Sequence, residues 1–300
     1  MSNSKLAIGA DIGGTHITAA LIDLDSKSIV PSSVKRTHVN AAGTADEIIK
    51  AWADCISEAR QDKEIESICL AIPGPFDYEA GISLITGQGK YESLYKLNVK
   101  DLLATELNFP VQSIFLENDA ACFLQGEVFS GAAGKYAKKT VIGITLGTGL
   151  GSAIYRTGTS KDGDMWRWPF KEGIAEDYIC TRWFVKRWKE ITGESVSGVR
   201  EILESDSPKK KADQLFADFN SNLSAFLFDF IANESPVAIV IGGNISKAFD
   251  WFGPALAAVI NKKHPSIKIE LAILGEEAPL AGAVGSWLQN QRSSPILPDY

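Results

Sequence analysis

The chain has 300 residues, 45% hydrophobic and 22% charged, with a net charge of −7, the balance of an ordinary globular protein with chain enough for two cores. That acidity argues against nucleic acid or an anionic membrane surface as a partner, though a local basic pocket for phosphate is compatible with it. No stretch has signal-peptide form or membrane-spanning length, so a cytoplasmic protein is expected, and the four cysteines and three histidines are too scattered for a zinc site or redox pair.

The first predicted element is a strand pair. Residues 6–23, "LAIGADIGGTHITAALID", read as an apolar run, Asp11, a turn holding Gly13, Gly14 and Thr15, and a second apolar run. A strand that ends in a carboxylate beside a turn free of side chains suits an anionic ligand or its metal ion, but a plain β-hairpin explains the same glycines. An amphipathic helix is predicted over 44–60, then an apolar strand at 65–75 ended by Pro73 and Pro75. Residues 98–108 read as a short helix capped by Asn98, and 111–119 as a strand leading into the helix "AACFLQGEVF". Asp119, just before that apolar run, reads on its own as a helix cap.

A second glycine hairpin is predicted at 140–155 and a helical stretch from about Glu176 to Trp188. "SPKKKAD" at 207–213 marks a solvated turn or a helix start, ahead of a helix over 212–233. A strand at 237–243, a further helix and strand, and a closing helix at 279–291 complete the chain. The closing helix can cross back onto the first half.

The two hairpins are related. Residues 8–21 laid over 142–155 match Ile8 with Ile142, Gly9 with Gly143, Gly13 with Gly147 and Ala19 with Ala153, as expected of two copies of one α/β unit. "GAAGKY" at 131–136 lacks the spacing and hydroxyl of a P-loop, and "GTGLGS" at 147–152 runs into a strand where a dinucleotide motif needs a helix. What remains is a pair of hairpins whose backbone N–H groups can line a phosphate chain in a cleft between the units.

The ordered motifs "DIGGT" (11–15), "ENDAACFLQGE" (117–127), "GITLGTGLGSAI" (143–154) and "IVIGGNIS" (239–246) resemble those of the ROK family of sugar kinases and related repressors, in the actin, Hsp70 and hexokinase superfamily. The resemblance implies an α/β protein with the two-domain actin-like ATPase (ribonuclease H-like) fold and an interdomain active-site cleft. A smaller domain would hold residues 1–118 plus about 282–300, and a larger one residues 119–281. The implied activity is ATP-dependent, magnesium-assisted phosphorylation of the 6-hydroxyl of a hexose by a homodimer. By motif, Asp11 would sit at the magnesium ion or its waters, with Gly13, Gly14 and Thr15 along the γ-phosphate. Gly147, Thr148, Gly149 and Gly151 would form the opposing phosphate cradle, and Gly242, Gly243 and Asn244 the adenosine side, although Asn244 also suits a helix cap. Asn118 would bond sugar hydroxyls, Asp119 would take the proton of the attacking hydroxyl, and Glu117 would support them.

The family pattern breaks after the second hairpin. Its E-x-G-H and cysteine-rich zinc motif give way to "GDMWRWPFKEGIAEDYIC" (163–180), which puts Asp164 at the Glu, Arg167 at the His and Glu176 at the last sugar-binding Glu. With no cysteine set, no zinc is expected. The family's Asn-x-x-x-Trp stretch near the sugar is replaced by "GQGKYESLY" (87–95). Trp166, Trp168 and Tyr91 are candidates to stack on a sugar ring, although clustered aromatics more often belong to a core. Regulators of the family carry an added N-terminal helix-turn-helix. A first strand starting near Leu6 leaves no room for one and the acidic charge offers no DNA footprint. A kinase is therefore expected ahead of a sugar-sensing regulator or a non-catalytic sugar-binding protein.

Overall fold

Hydrophobic alternation and glycine turns build two sheets of the same design. The computed structural model describes residues 5–205 and 207–293; the ends of the expected smaller domain, at 1–4 and 294–300, lie outside them. In the first sheet, β1 (Leu6–Ile12) and β2 (His16–Asp23) form an antiparallel hairpin, with Ile12 opposite Ile17. The short strands β3 (Ser28–Ile29) and β4 (Lys35–His38) both pair with β2. Helix α1 (Ala45–Arg60) starts at a reciprocal cap, Thr44 Oγ1 accepting from Glu47 N and Glu47 Oε2 from Thr44 N. It buries Ile48, Ile49, Trp52, Cys55, Ile56 and Ala59 against the sheet. Strand β5 (Ile68–Ile72) is buried along its whole length, because it lies between two parallel neighbours. A two-stranded ribbon, β6 (Phe76–Asp77) with β7 (Ile82–Ser83), then leads to α2 (Val99–Leu107), whose N-cap is Asn98 as expected. Strand β8 (Ile114–Asn118) closes the sheet in the order β3-β2-β1-β5-β8 and runs directly into α3 (Asp119–Phe129).

The second sheet repeats that order. Strands β9 (Val141–Leu146) and β10 (Leu150–Arg156) form its hairpin, extended by β11 (Thr159–Asp162). A small ribbon of β12 (Pro169–Phe170) and β13 (Gly173–Ile174) precedes α4 (Thr181–Thr192). That helix starts later than the predicted position near Glu176: residues Ala175–Tyr178 form a separate 3-10 turn, and Cys180 is extended. After α5 (Val199–Glu204), helix α6 (Lys209–Glu234) begins inside the "SPKKKAD" segment. Its Phe216, Phe219, Leu223, Phe226 and Phe230 recur at helical spacing and supply much of the larger core. Strand β14 (Ala238–Gly242), α7 (Phe249–Lys263) and β15 (Lys268–Leu271) follow, giving the order β11-β10-β9-β14-β15. In each sheet one hairpin strand runs parallel to a buried central strand, itself parallel to a third.

Helix α8 (Ala278–Ser293) packs against α3 and against β1 and β5 of the first sheet. Backbone meets backbone there: a Cβ on Gly9 would stand 2.3 Å from the Leu280 carbonyl oxygen, and one on Gly126 would stand 2.0 Å from that of Ala278. No helix among the described residues is long and apolar enough to cross a membrane.

Candidate active site

The parallel strands of both sheets deliver the chemistry-bearing residues at their C-terminal ends, the edge at which open α/β sheets bind ligands. Asp11 sits near the end of β1, and Asp119 directly follows the last residue of β8. In the second sheet, Gly147 follows β9 and Gly243 follows β14, with Thr145 and Gly242 in register. The two edges meet at the second hairpin. A Cβ on Gly151 would lie 3.3 Å from that of Ala120, the neighbour of Asp119. A Cβ on Gly243, at φ +85°, would lie 2.4 Å from the Leu146 carbonyl oxygen, so only glycine lets that backbone seat against the hairpin base.

Asp119 is not the helix cap. Asn118 performs that role, its Oδ1 accepting from Ala121 N at 3.0 Å, while its Nδ2 donates to the Tyr78 hydroxyl at 3.3 Å. Tyr78 in turn donates to the Ile72 carbonyl at 3.1 Å. Both ends of the Asn118 amide are thus engaged within the protein, leaving one N–H of its two free for a ligand. Asp119 is the first helical residue, with Oδ1 accepting from Ala120 N at 2.8 Å. Burial pushes its carboxyl above the usual range, opposed by the Ala120 amide and the nearby positive charge of Lys90. Glu117 accepts from Asn118 N at 2.9 Å and is raised by burial as well.

Asp11 faces Asp119. Burial and the Asp119 charge push its pKa up to about 7, with Arg36 pulling the other way and Glu276 adding to the rise. Arg36 and Glu276 are themselves paired at 2.6 Å across the exposed rim. The folded carboxyl binds protons more tightly than the unfolded one, so its contribution to stability is full below about pH 4 and is lost as pH rises to about 7. Asp11→Asn is therefore expected to flatten the fall in stability over that window by a few kcal/mol in order of magnitude. Denaturant midpoints at the two ends of the window, with divalent cations chelated, check this; a slope as steep as the wild type's would refute it.

The first hairpin offers its turn openly. Gly14 and Thr15 are exposed, Gly13 N donates to His16 O at 2.8 Å, and Thr15 Oγ1 lies 2.9 Å from His16 Nδ1. In the second hairpin, Gly147 N donates to Gly149 O at 3.1 Å and Thr148 is exposed. Glu176 is tied to this hairpin: Oε2 accepts from Leu150 N at 3.0 Å and Oε1 from Arg182 Nη2 at 3.0 Å. A Cβ on Gly149 would stand 2.6 Å from Glu176 Oε2.

Asp164 and Arg167 pair with each other in the turn after β11, where Asp164 N donates to Asp162 Oδ1 at 2.8 Å. Asn244 is exposed and caps nothing; Gly243 holds the cap position. Of the three aromatic candidates, Tyr91 is fully buried, whereas Trp166 and Trp168 are exposed and so are not core. Trp168 Nε1 donates to Asp229 at 3.4 Å.

Three further residues belong to this region: Tyr78, Asp162 and Lys90. Asp162 is raised chiefly by burial of its carboxyl, with further rises from Asp164 and Asp119. None of the three stands in a recognisable motif; only the unusual "GQGKYESLY" stretch offered a signal for Lys90.

Among the described residues no group of three or more His, Cys, Asp or Glu is arranged to hold a metal ion.

The ROK family pattern matches residues 7–165. The chain is 30% identical to the glucokinase of Thermotoga maritima, over 92% of this chain and 95% of that one. It is 25% identical to the beta-glucoside kinase of Listeria monocytogenes, over 94% and 97%. Among solved structures, the ROK family glucokinase of Streptomyces griseus, determined with glucose and AMPPNP, superposes with a TM-score of 0.75 at 24% identity, covering 95% of this chain and 99% of that one. The repeated sheets above are accordingly those of the actin-like ATPase fold.

Proposed function

The chain belongs to the ROK family, and from that premise we propose that it is an ATP-dependent sugar kinase, transferring the γ-phosphoryl group of ATP to the 6-hydroxyl of a hexose. The observation that carries this reading is Asp119, a largely buried carboxylate freed of capping by Asn118, at the sheet edge where the second glycine hairpin arrives. The relatives named glucokinase and beta-glucoside kinase support a sugar as acceptor.

In this mechanism Asp119 receives the proton of the attacking hydroxyl as the new O–P bond forms. A carboxylate is a sufficient base, because phosphoryl transfer depends on positioning and charge neutralisation more than on early deprotonation. The turns at Gly13, Gly14 and Thr15 and at Gly147, Thr148, Gly149 and Gly151 present backbone N–H groups to phosphate oxygens. Gly242, Gly243 and Asn244 receive the adenosine side. Asn118, Asp164 and Arg167 face the sugar, while Glu176 braces the second hairpin through Leu150 N. Asp11 would hold magnesium, directly or through water, and the bound ion supplies charge neutralisation at the phosphates. The same reading takes the cleft between residues 1–118 plus about 282–300 and residues 119–281 as the site, and a cytoplasmic homodimer as the working form.

The test is an ATP-consumption screen over aldohexoses, ketohexoses, N-acetylhexosamines and β-glucosides, with the phosphorylated position of any product read by NMR. Sugar-dependent ADP release and a 6-phosphate are expected. ATP turnover that no sugar stimulates would overturn the kinase, and phosphate at another carbon would overturn the 6-hydroxyl assignment.

A further inference from the structure

The segment that replaces the family's sugar-side stretch is clamped onto the first glycine hairpin. Tyr91 Oη donates to the Gly13 carbonyl at 2.5 Å, and Tyr91 N donates to Ala41 O at 2.6 Å. Its ring is buried edge-on against Trp52, with centroids 5.3 Å apart. Gly89 N donates to Glu92 Oε1 at 2.9 Å, and Ser93 Oγ to Gly43 O at 2.8 Å. Gly87 and Gly89 both have left-handed φ, at 68° and 70°, and a Cβ on either would meet nothing within 4 Å.

Between these anchors stands Lys90. Its side chain reaches the first hairpin turn, with Cδ 3.9 Å from the position a Cβ on Gly14 would take. Its positive charge is felt at Asp119, on the neighbouring edge of the sheet. Lys90 is partly buried, and no carboxylate among the described residues closes an ion pair with it. A long cation between a glycine turn and a buried-edge carboxylate, with no ion-pair partner among the described residues, is placed for an anion that arrives at that point.

We propose that Lys90 binds the transferring phosphoryl group, taking the oxygens of the γ-phosphate of ATP and then those of the newly formed sugar phosphate. This rests on the kinase reading above. As the attacking oxygen bonds to phosphorus, the bridging P–O bond breaks, its electron pair leaves with ADP, and the hydroxyl proton passes to Asp119. Throughout, the charge on the equatorial oxygens lies beside the Lys90 ammonium. The two open glycines before it give the side chain room to follow the phosphorus from donor to acceptor. Lysine suits this task as a mobile point charge rather than a rigid fork.

The experiment compares wild type, Lys90→Met and Lys90→Arg, with thermal midpoints confirming that each is folded. Lys90→Met is expected to lose about 10²–10³ in kcat, as when one donor to a developing anion is removed. Its sugar affinity should stay within about threefold of wild type, and Lys90→Arg should recover much of the rate. By calorimetry, Lys90→Met should weaken AMPPNP by about tenfold or more and leave ADP unchanged, because only the former carries the γ-phosphate. A kcat within about threefold of wild type overturns the proposal. So does a loss confined to sugar affinity, which would make Lys90 a reader of the sugar. If wild type phosphorylates no sugar, the kinase reading fails, and the AMPPNP-to-ADP comparison still decides Lys90: equal affinities in wild type and Lys90→Met overturn it.

Discussion

Asp119→Asn is expected to fold, to bind sugar as the wild type does, and to lose roughly 10²–10⁴ of its turnover, the contribution of a positioned acid or base. The substitution keeps the shape of the side chain and an oxygen able to accept the 2.8 Å bond from Ala120 N. It leaves the cap of α3 untouched, because Asn118 Oδ1 makes that bond. Folding also has something to gain. Burial raises the Asp119 carboxyl, so its stabilising contribution is present at acid pH and lost as pH rises past the folded value. A neutral amide carries no such loss, and near pH 8 the variant should be at least as stable as the wild type. Removing that charge also lowers the burden on Asp11, which Asp119 helps to raise. Measuring kcat, sugar affinity and thermal midpoint together separates chemistry from structure. A folded variant with near-wild-type turnover would end the role of Asp119 as base.

The parts of this site that were legible in the sequence are those set by backbone. Two glycine hairpins, fourteen residues each, announced a repeat through four matched positions, and the repeat extends to the order and direction of five strands in each sheet. Of the matched glycines, Gly9 and Gly143 both sit where a side chain would press on a neighbour: a Cβ would stand 2.3 Å from the Leu280 carbonyl oxygen at the first and 3.0 Å from Leu124 Cδ1 at the second. What was illegible depends on side chains meeting across long separations. Asn118 and Asp119 are adjacent and either type caps helices, so only the geometry of the first turn divides their tasks. Glu176 aligns with a sugar ligand of the family, yet its carboxylate accepts from an amide 26 residues earlier. It sits in the 3-10 turn Ala175–Tyr178, and after an extended Cys180 the helix starts at Thr181. Composition placed Tyr91, Trp166 and Trp168 in one class, whereas the first is a buried clamp on Gly13 and the other two are exposed. The short strands β3, β4 and β11 escaped because two to four residues carry too little alternation to register.

Gly282→Ala is expected to be strongly destabilising, and its effect runs from packing into catalysis. Helices α3 and α8 approach through their backbones. A Cβ on Gly282 would stand 1.7 Å from the Cys122 carbonyl oxygen and 2.7 Å from Gly126 N. A carbon and a carbonyl oxygen rest no closer than about 3.3 Å, so α8 must withdraw by roughly 1.5 Å. No rotamer change can substitute, since both obstacles are main-chain atoms. Withdrawal opens the seam filled by Leu280, Ala281, Ala283 and Val284, all buried. Alanine's better helix propensity returns less than about 1 kcal/mol, against an overpacking cost at or beyond the upper end of about 1–3 kcal/mol. The thermal midpoint should fall by the order of 10 °C. Gly285→Ala is the control: its Cβ would meet the Phe129 side chain at 3.1 Å, which can yield by a few tenths of an ångström, so it should cost clearly less. Because α3 begins at Asp119, whatever α8 displaces in α3 also moves the proposed base, and kcat of Gly282→Ala should drop even at temperatures where the protein remains folded. A Gly282→Ala protein as stable as Gly285→Ala would show that the helix seam is looser than these contacts require.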